Sequence, residues 1–296
     1  MGAPVSADIR FMKRLLLAVS LLQVSCFSQP SEHLGIAGRD IALWRPKGAA
    51  PSKGYPLIVF SHGCGGCNTQ SSALMDAFSG AGYVVLAPNH QDARCGGAAR
   101  RRTAQPEESF RQPDHWNDRT YRDRAEDVEA VLDAVLREKT FHGISVDAER
   151  IGLAGHSLGG YTVLGLAGAW PSWKDARVKA VLALSPFCAP YLEKGALGHM
   201  SVPVMYQGGT LDLGITPFVR RPQGAFDSSS APKYYVEFNG AGHFAWTNLN
   251  PKFQPAIGDY SVAFFDRYLK SSSDRIAPLF QKPYPRQISS AKFKST

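Results

Sequence analysis

Ile151-Gly152-Leu153-Ala154-Gly155-His156-Ser157-Leu158-Gly159-Gly160-Tyr161 is the stretch around which the chain organises itself. A short apolar run ends in Gly155-His156-Ser157-Leu158-Gly159, the G-x-S-x-G pattern that sets a serine on a sharp strand-to-helix turn. Glycines two before and two after Ser157 keep side chains from colliding as strand and helix close on each other. The motif alone is weak in a chain with 28 glycines. Context strengthens it: the residues from Arg150 to Ala154 read as a buried strand, and Thr162, Val163, Leu164, Leu166 and Ala167 as a helix.

Outward from this elbow, strand and helix signals alternate. Tyr55–Ser61, Tyr83–Pro88, Val178–Leu184, Val202–Gln207 and Lys233–Phe238 are apolar strand-like runs, and one or two leading strands are expected between His33 and Trp44. Ser71–Gly80, Tyr121–Lys139 and Tyr260–Leu269 carry helical patterns; in the second, Val128, Val131, Leu132, Val135 and Leu136 recur at i, i+3, i+4, i+7, i+8. Continuous apolar strands between helices predict an α/β fold, doubly wound, with a mostly parallel sheet and helices on both faces. The expected division is a signal segment at 1–28, one α/β domain at 29–270 and a loose basic tail at 271–296.

A serine hydroxyl needs a histidine base, and the base an acid to fix its tautomer. In doubly wound sheets such groups gather beyond the carboxyl ends of the strands. Asp212 follows the fifth strand in Gly208-Gly209-Thr210-Leu211-Asp212, and His243 follows the sixth in Gly240-Ala241-Gly242-His243. The order Ser, Asp, His suits a nucleophile elbow. Two N–H groups are needed for the oxyanion: that of Leu158, after the serine, and one from the loop Ser61-His62-Gly63-Cys64-Gly65-Gly66-Cys67. Cys64 is the expected donor, with Gly63 and Gly65 as alternates. His62 and His90 are expected to support these loops, and His156 to be structural. No histidine pairs with cysteines or carboxylates at metal-ligand spacing, so neither metal nor cofactor is expected.

The 296 residues are 44% hydrophobic, enough for a sizeable core, and no apolar run is long enough to span a membrane. The net charge of +8 is spread over the N-terminus, an arginine-rich connection from Arg94 to Arg124 and the C-terminal tail. It reads as a solvated basic surface, with no nucleic-acid-binding signature. Met12-Lys13-Arg14 followed by the apolar Leu15–Val24 reads as a signal peptide, with Met12 as an alternative start to Met1, which predicts a secreted or periplasmic protein. Membrane contact is expected only if Cys26 is lipidated. Cys64, Cys67, Cys95 and Cys188 then remain, an even number compatible with disulfides; Cys67 with Cys95 is one candidate pair, and the connectivity stays open.

Ser61-His62-Gly63-Cys64-Gly65-Gly66, Ala87-Pro88-Asn89-His90, the Ser157 elbow, Gly209-Thr210-Leu211-Asp212 and Ala241-Gly242-His243-Phe244 together resemble the α/β-hydrolase superfamily. Within it, the chain resembles the bacterial dienelactone-hydrolase-like and platelet-activating-factor-acetylhydrolase-like group, which shades into cutinase-like polyester hydrolases. The resemblance spans roughly 33–270 and implies a serine hydrolase cleaving small-molecule or surface-presented carboxylic esters through an acyl-enzyme. True dienelactone hydrolases use cysteine where this chain has Ser157, so that activity is not implied. A peptidase or amidase of the same fold and a non-catalytic binding protein are the alternatives. Pro186–Ser201 is too short for a large lid, and Trp116, Phe187, Phe244 and Trp246 are candidates to line the cleft.

Overall fold

In a computed structural model of the chain, the structure describes residues 29–94, 108–270, 275–284 and 286–295. The signal segment with Met1, Met12 and Cys26 lies outside these residues, as do Cys95 and most of the arginine-rich connection.

Nine strands form one sheet: β1 Glu32–Ile36, β2 Arg39–Trp44, β3 Tyr55–Ser61, β4 Val84–Pro88, β5 Val146–His156, β6 Val178–Leu184, β7 Val204–Gly209, β8 Lys233–Phe238 and β9 Ile288–Lys294. The described α-helices are α1 Ser72–Gly80, α2 Arg122–Leu136, α3 Leu158–Leu164, α4 Ala189–Glu193, α5 Thr216–Arg220, α6 Ala225–Ser228, α7 Gln254–Leu269 and α8 Ile276–Gln281. The strand order is β1-β2-β4-β3-β5-β6-β7-β8-β9. The stretch β4-β3-β5-β6-β7-β8 is parallel throughout. The β1–β2 hairpin joins β4 antiparallel, and β9 joins β8 antiparallel.

The central strands β3, β4, β6 and β7 are buried on both faces, which explains why they are largely apolar. Leu57 and Val59 enter one core with Val128, Val131 and Leu132 of α2 and Tyr161 of α3. Ile58 and Phe60, one residue out of phase, enter the other with Leu74 and Phe78 of α1 and Ile257 and Phe265 of α7. This is the doubly wound α/β-hydrolase arrangement.

The tail differs from expectation. Beyond 270 the chain forms α8 and then β9, whose Phe293 ring stacks on Tyr234 with centroids 5.8 Å apart. Ile288-Ser-Ser-Ala-Lys-Phe-Lys lacks the apolar run of the inner strands because β9 is an edge with partly exposed faces. Its place comes from main-chain pairing with β8, which residue patterning does not reveal.

Phe265 packs edge-on against Phe78 at 5.5 Å and sits so close to Gly152 that a Cβ there would meet its ring at 2.6 Å. Truncating Phe265 to Ala is expected to cost about 3–5 kcal/mol, read as a lower urea midpoint with an unchanged m-value.

Candidate active site

Ser157 links β5 to α3 with φ +56° and ψ −115°, a backbone that non-glycine residues rarely adopt. Close packing enforces it. A Cβ on Gly159 would stand 1.9 Å from the Ser61 carbonyl oxygen, and one on Gly155 would stand 2.2 Å from the Gly159 carbonyl oxygen. The helix can therefore start directly against the end of β3 only with glycine at both positions. This presses the serine out above the sheet.

The structure brings His243 and Asp212 to this serine. His243 Nε2 lies 2.9 Å from Ser157 Oγ, and His243 Nδ1 lies 3.3 Å from Asp212 Oδ1. The two loops are tied together, since the Leu211 N–H donates to the Ala241 carbonyl at 2.9 Å. Asp212 is buried beneath them. Burial pushes its carboxyl up, but hydrogen bonds from His243, Ser185 and Thr216 hold it below the usual carboxylate range. Thr216 Oγ1 donates to Asp212 Oδ2 at 3.0 Å while accepting the Gly209 N–H at 2.9 Å. Ser185, at the end of β6, has its Oγ 2.5 Å from Asp212 Oδ2 and 2.9 Å from His243 Nδ1. Neither hydroxyl was marked by any motif. The only signal for Ser185 was its place at the carboxyl end of a strand flanking β5.

His156 has a structural role. It accepts from Gln70 Nε2 through Nδ1 (3.2 Å) and donates through Nε2 to the His243 carbonyl (2.8 Å), which fixes its tautomer. Burial and the neighbouring His243 push its pKa down to about 3, so it stays neutral. It thereby holds the histidine loop against the loop after β3. Trp246 lies under it, buried and stacked, and donates to Gln207 Oε1 at 3.0 Å.

A buried polar network shapes the Gly63–Gly66 turn. Arg124 of α2 is fully buried and grips Asp92 through two nitrogens while donating to the His62 carbonyl at 2.7 Å and the Gly63 carbonyl at 3.2 Å. Asp92 accepts the Gly65 N–H at 3.0 Å, and Gln70 Oε1 accepts the Gly63 N–H at 3.3 Å. Burial raises Asp92, but Arg124 outweighs this and holds it ionised far below the usual range. Burial, reinforced by Arg124, keeps His62 and His90 neutral. His90 bridges Ser61 Oγ (2.8 Å) and Asp127 Oδ2 (2.9 Å), and Arg39 closes on Asp127. An arginine in an amphipathic helix reads as solvated, so Arg124 gave no sign of this role.

A cleft of about 550 Å³ opens above Ser157, lined by Cys64, Gly65, Gln70, Phe244, Thr247 and Leu249 among others. Of the four candidate aromatics only Phe244 lines it. Trp116 and Phe187 pack with each other at 4.9 Å beneath Phe110, where burial of their large apolar area outweighs exposure to a ligand. The segment after β6 carries only α4 and one 3-10 turn, Ala196–His199. Cys188 is a buried thiol outside any disulfide, its pKa pushed up by burial to about 12. Among the described residues no cluster of His, Cys, Asp and Glu is arranged to hold a metal ion.

Residues 115–293, more than half the chain and including Ser157, Asp212 and His243, match the PET hydrolase-like family. The chain belongs to this family. Residues 40–126, which carry the loop after β3, match platelet-activating factor acetylhydrolase, isoform II. Cutinase est1 of Thermobifida alba is 29% identical over 78% of the chain and 66% of its own length. Cutinase 1 of Thermobifida cellulosilytica is 33% identical over 55% of the chain and 57% of its own length. A bis(hydroxyethyl) terephthalate hydrolase of Streptomyces coelicolor is 28% identical over 55% of the chain and 48% of its own length. The chain thus spans about half to two thirds of the length of these relatives. As a PET hydrolase-like protein it combines the superfamily's elbow with the buried Arg124–Asp92 pair.

Beside that pair, both carboxylate oxygens of Asp123 are buried and receive no side-chain hydrogen bond. Burial first, then Asp127 and Asp92, push its pKa up to about 6, against the pull of Arg124. A carboxyl raised on folding costs nothing well below its unfolded pKa; the penalty grows as pH rises from the unfolded to the folded value and is constant above it. Asp123→Asn is therefore expected to be more stable than wild type by about 1–2 kcal/mol at pH 8, after allowance for solvent screening. The difference should vanish below about pH 3, as denaturant midpoints across pH would reveal.

Proposed function

We propose that this chain is a serine carboxylic ester hydrolase working through an acyl-enzyme. The observation that carries the reading is His243 Nε2 at 2.9 Å from the Oγ of a serine held at φ +56°. Ser157 Oγ attacks the ester carbonyl while His243 Nε2 takes its proton. Asp212 orients His243 and stabilises the imidazolium. The backbone N–H groups of Leu158 and Cys64 bind the oxyanion; the Gly63 and Gly65 N–H groups donate to Gln70 and Asp92. His243 then protonates the leaving alcohol, and water, activated by the same histidine, releases the acid.

The substrate we favour is an ester presented on a surface or carried by a small molecule. Leu211, Leu213, Phe244 and Leu249 are all more than half exposed, and Phe244 and Leu249 edge the cleft. Exposed apolar residues gathered at a site mark a place for apolar partners. The relatives' names, cutinase and bis(hydroxyethyl) terephthalate hydrolase, agree with an ester substrate. A peptidase or amidase and a non-catalytic binder gain no support from these neighbours. The expected compartment is secreted or periplasmic. It rests on the charged and then apolar N-terminus, and among the described residues no helix is long and apolar enough to cross a membrane. We take Cys67 as one half of a disulfide, with Cys95 its expected partner, bracing the loop after β3. The proposed division remains a signal segment at 1–28 and a hydrolase domain from 29, now extended through β9.

Ser157→Ala should lower turnover of p-nitrophenyl esters by about 10⁴-fold or more; wild-type turnover in the variant would overturn the mechanism. In an acyl-chain series, retained activity on short chains fits the lidless cleft. Activity confined to long chains above their aggregation limit would contradict it.

A further inference from the structure

We propose that Ser185 is a positioning residue that couples Asp212 to His243. This rests on the reading of Ser157, His243 and Asp212 as a catalytic triad. Ser185 directly follows β6, is fully buried and holds φ +42°, a left-handed conformation unusual for serine. Its N–H donates to the Gln207 carbonyl at 2.7 Å, which anchors it to the end of β7. Its Oγ stands 2.5 Å from Asp212 Oδ2 and 2.9 Å from His243 Nδ1.

The proton positions follow from valence. A hydroxyl has one proton to give and lone pairs to accept with, whereas an ionised carboxylate only accepts. The Ser185 proton therefore goes to Asp212 Oδ2. His243 Nε2 accepts the Ser157 hydroxyl proton in the resting state, so the imidazole proton sits on Nδ1. That Nδ1–H faces two acceptors, Ser185 Oγ at 2.9 Å and Asp212 Oδ1 at 3.3 Å, and the hydroxyl is the nearer. When His243 becomes an imidazolium, Ser185 shares its Nδ1–H and passes the polarisation to the carboxylate. Thr216 braces the same Oδ2 from the other side, so the carboxylate plane is fixed by two hydroxyls.

Ser185 does not line the cleft. Its removal should act on the chemical step and leave substrate binding alone. The test is a double-mutant cycle on p-nitrophenyl acetate with wild type, Ser185→Ala, Asp212→Ala and the double variant, with melting temperatures recorded. The expected result is a kcat about 10- to 100-fold lower for Ser185→Ala, the range for a hydrogen bond to a charged group. KM should stay within about twofold, and the second substitution should add less than about twofold once Asp212 is gone. Ser185→Gly, which accepts φ +42° without strain, should show the same kinetic loss and covers the case in which the alanine variant folds poorly. Wild-type kcat in both variants, a loss confined to KM, or an equal loss in the Asp212→Ala background would each overturn the proposal. Undiminished turnover by Asp212→Ala would overturn the triad reading itself, and Ser185 with it.

Discussion

The start of α3 lies directly against the end of β3, with no room for a side chain at Gly159 before the Ser61 carbonyl. Everything at the site depends on this contact. It forces the chain to leave β5 through Ser157 in a left-handed conformation, so the hydroxyl rises above the sheet. It also brings the loop after β3 alongside the serine. The strain at Ser157 is held by hydrogen bonds its backbone makes on both sides: its N–H donates to the Leu184 carbonyl, and its carbonyl accepts from Tyr161 and Phe187.

The loop after β3 is in turn shaped by a buried charge pair. Arg124 and Asp92 are taken out of water, a cost that bare Coulomb attraction does not reliably repay. What the pair offers is geometry. The guanidinium fixes two carbonyls of the turn, and the carboxylate fixes one N–H, so the turn has little freedom left. Neutral His62 and His90 fill the space around the pair and add donors and acceptors without adding charge. Asp123 is drawn into the same region without a side-chain partner, and its burial is the reason its carboxyl resists ionisation.

On the opposite side, Asp212 depends on neutral hydroxyls. Ser185 and Thr216 both donate to Oδ2, and Gly209 allows the Asp212 and His243 loops to approach, since a Cβ there would meet the Ala241 carbonyl at 2.3 Å. His156 and Gln70 then close the ring, linking the histidine loop to the loop after β3. Asp212, His243, Ser157 and the loop after β3 are thus connected by hydrogen bonds through residues that follow β3, β5, β6, β7 and β8.

The sequence alone determined the parallel sheet, the elbow at Ser157 and the place of Asp212 and His243, because each is written in local terms: apolar runs buried on both faces, glycines around a sharp turn, polar residues just past strand ends. Tertiary structure decided the rest. Ser185 and Thr216 look like ordinary hydroxyls until β6 and β7 lie side by side. Arg124 looks solvated until α2 packs over the end of β3. Trp116 and Trp246 look available to a ligand until the core claims them. β9 looks like a tail until β8 supplies its hydrogen bonds. In each case the deciding energy comes from a partner far away in the chain, and no local pattern can encode such a partner.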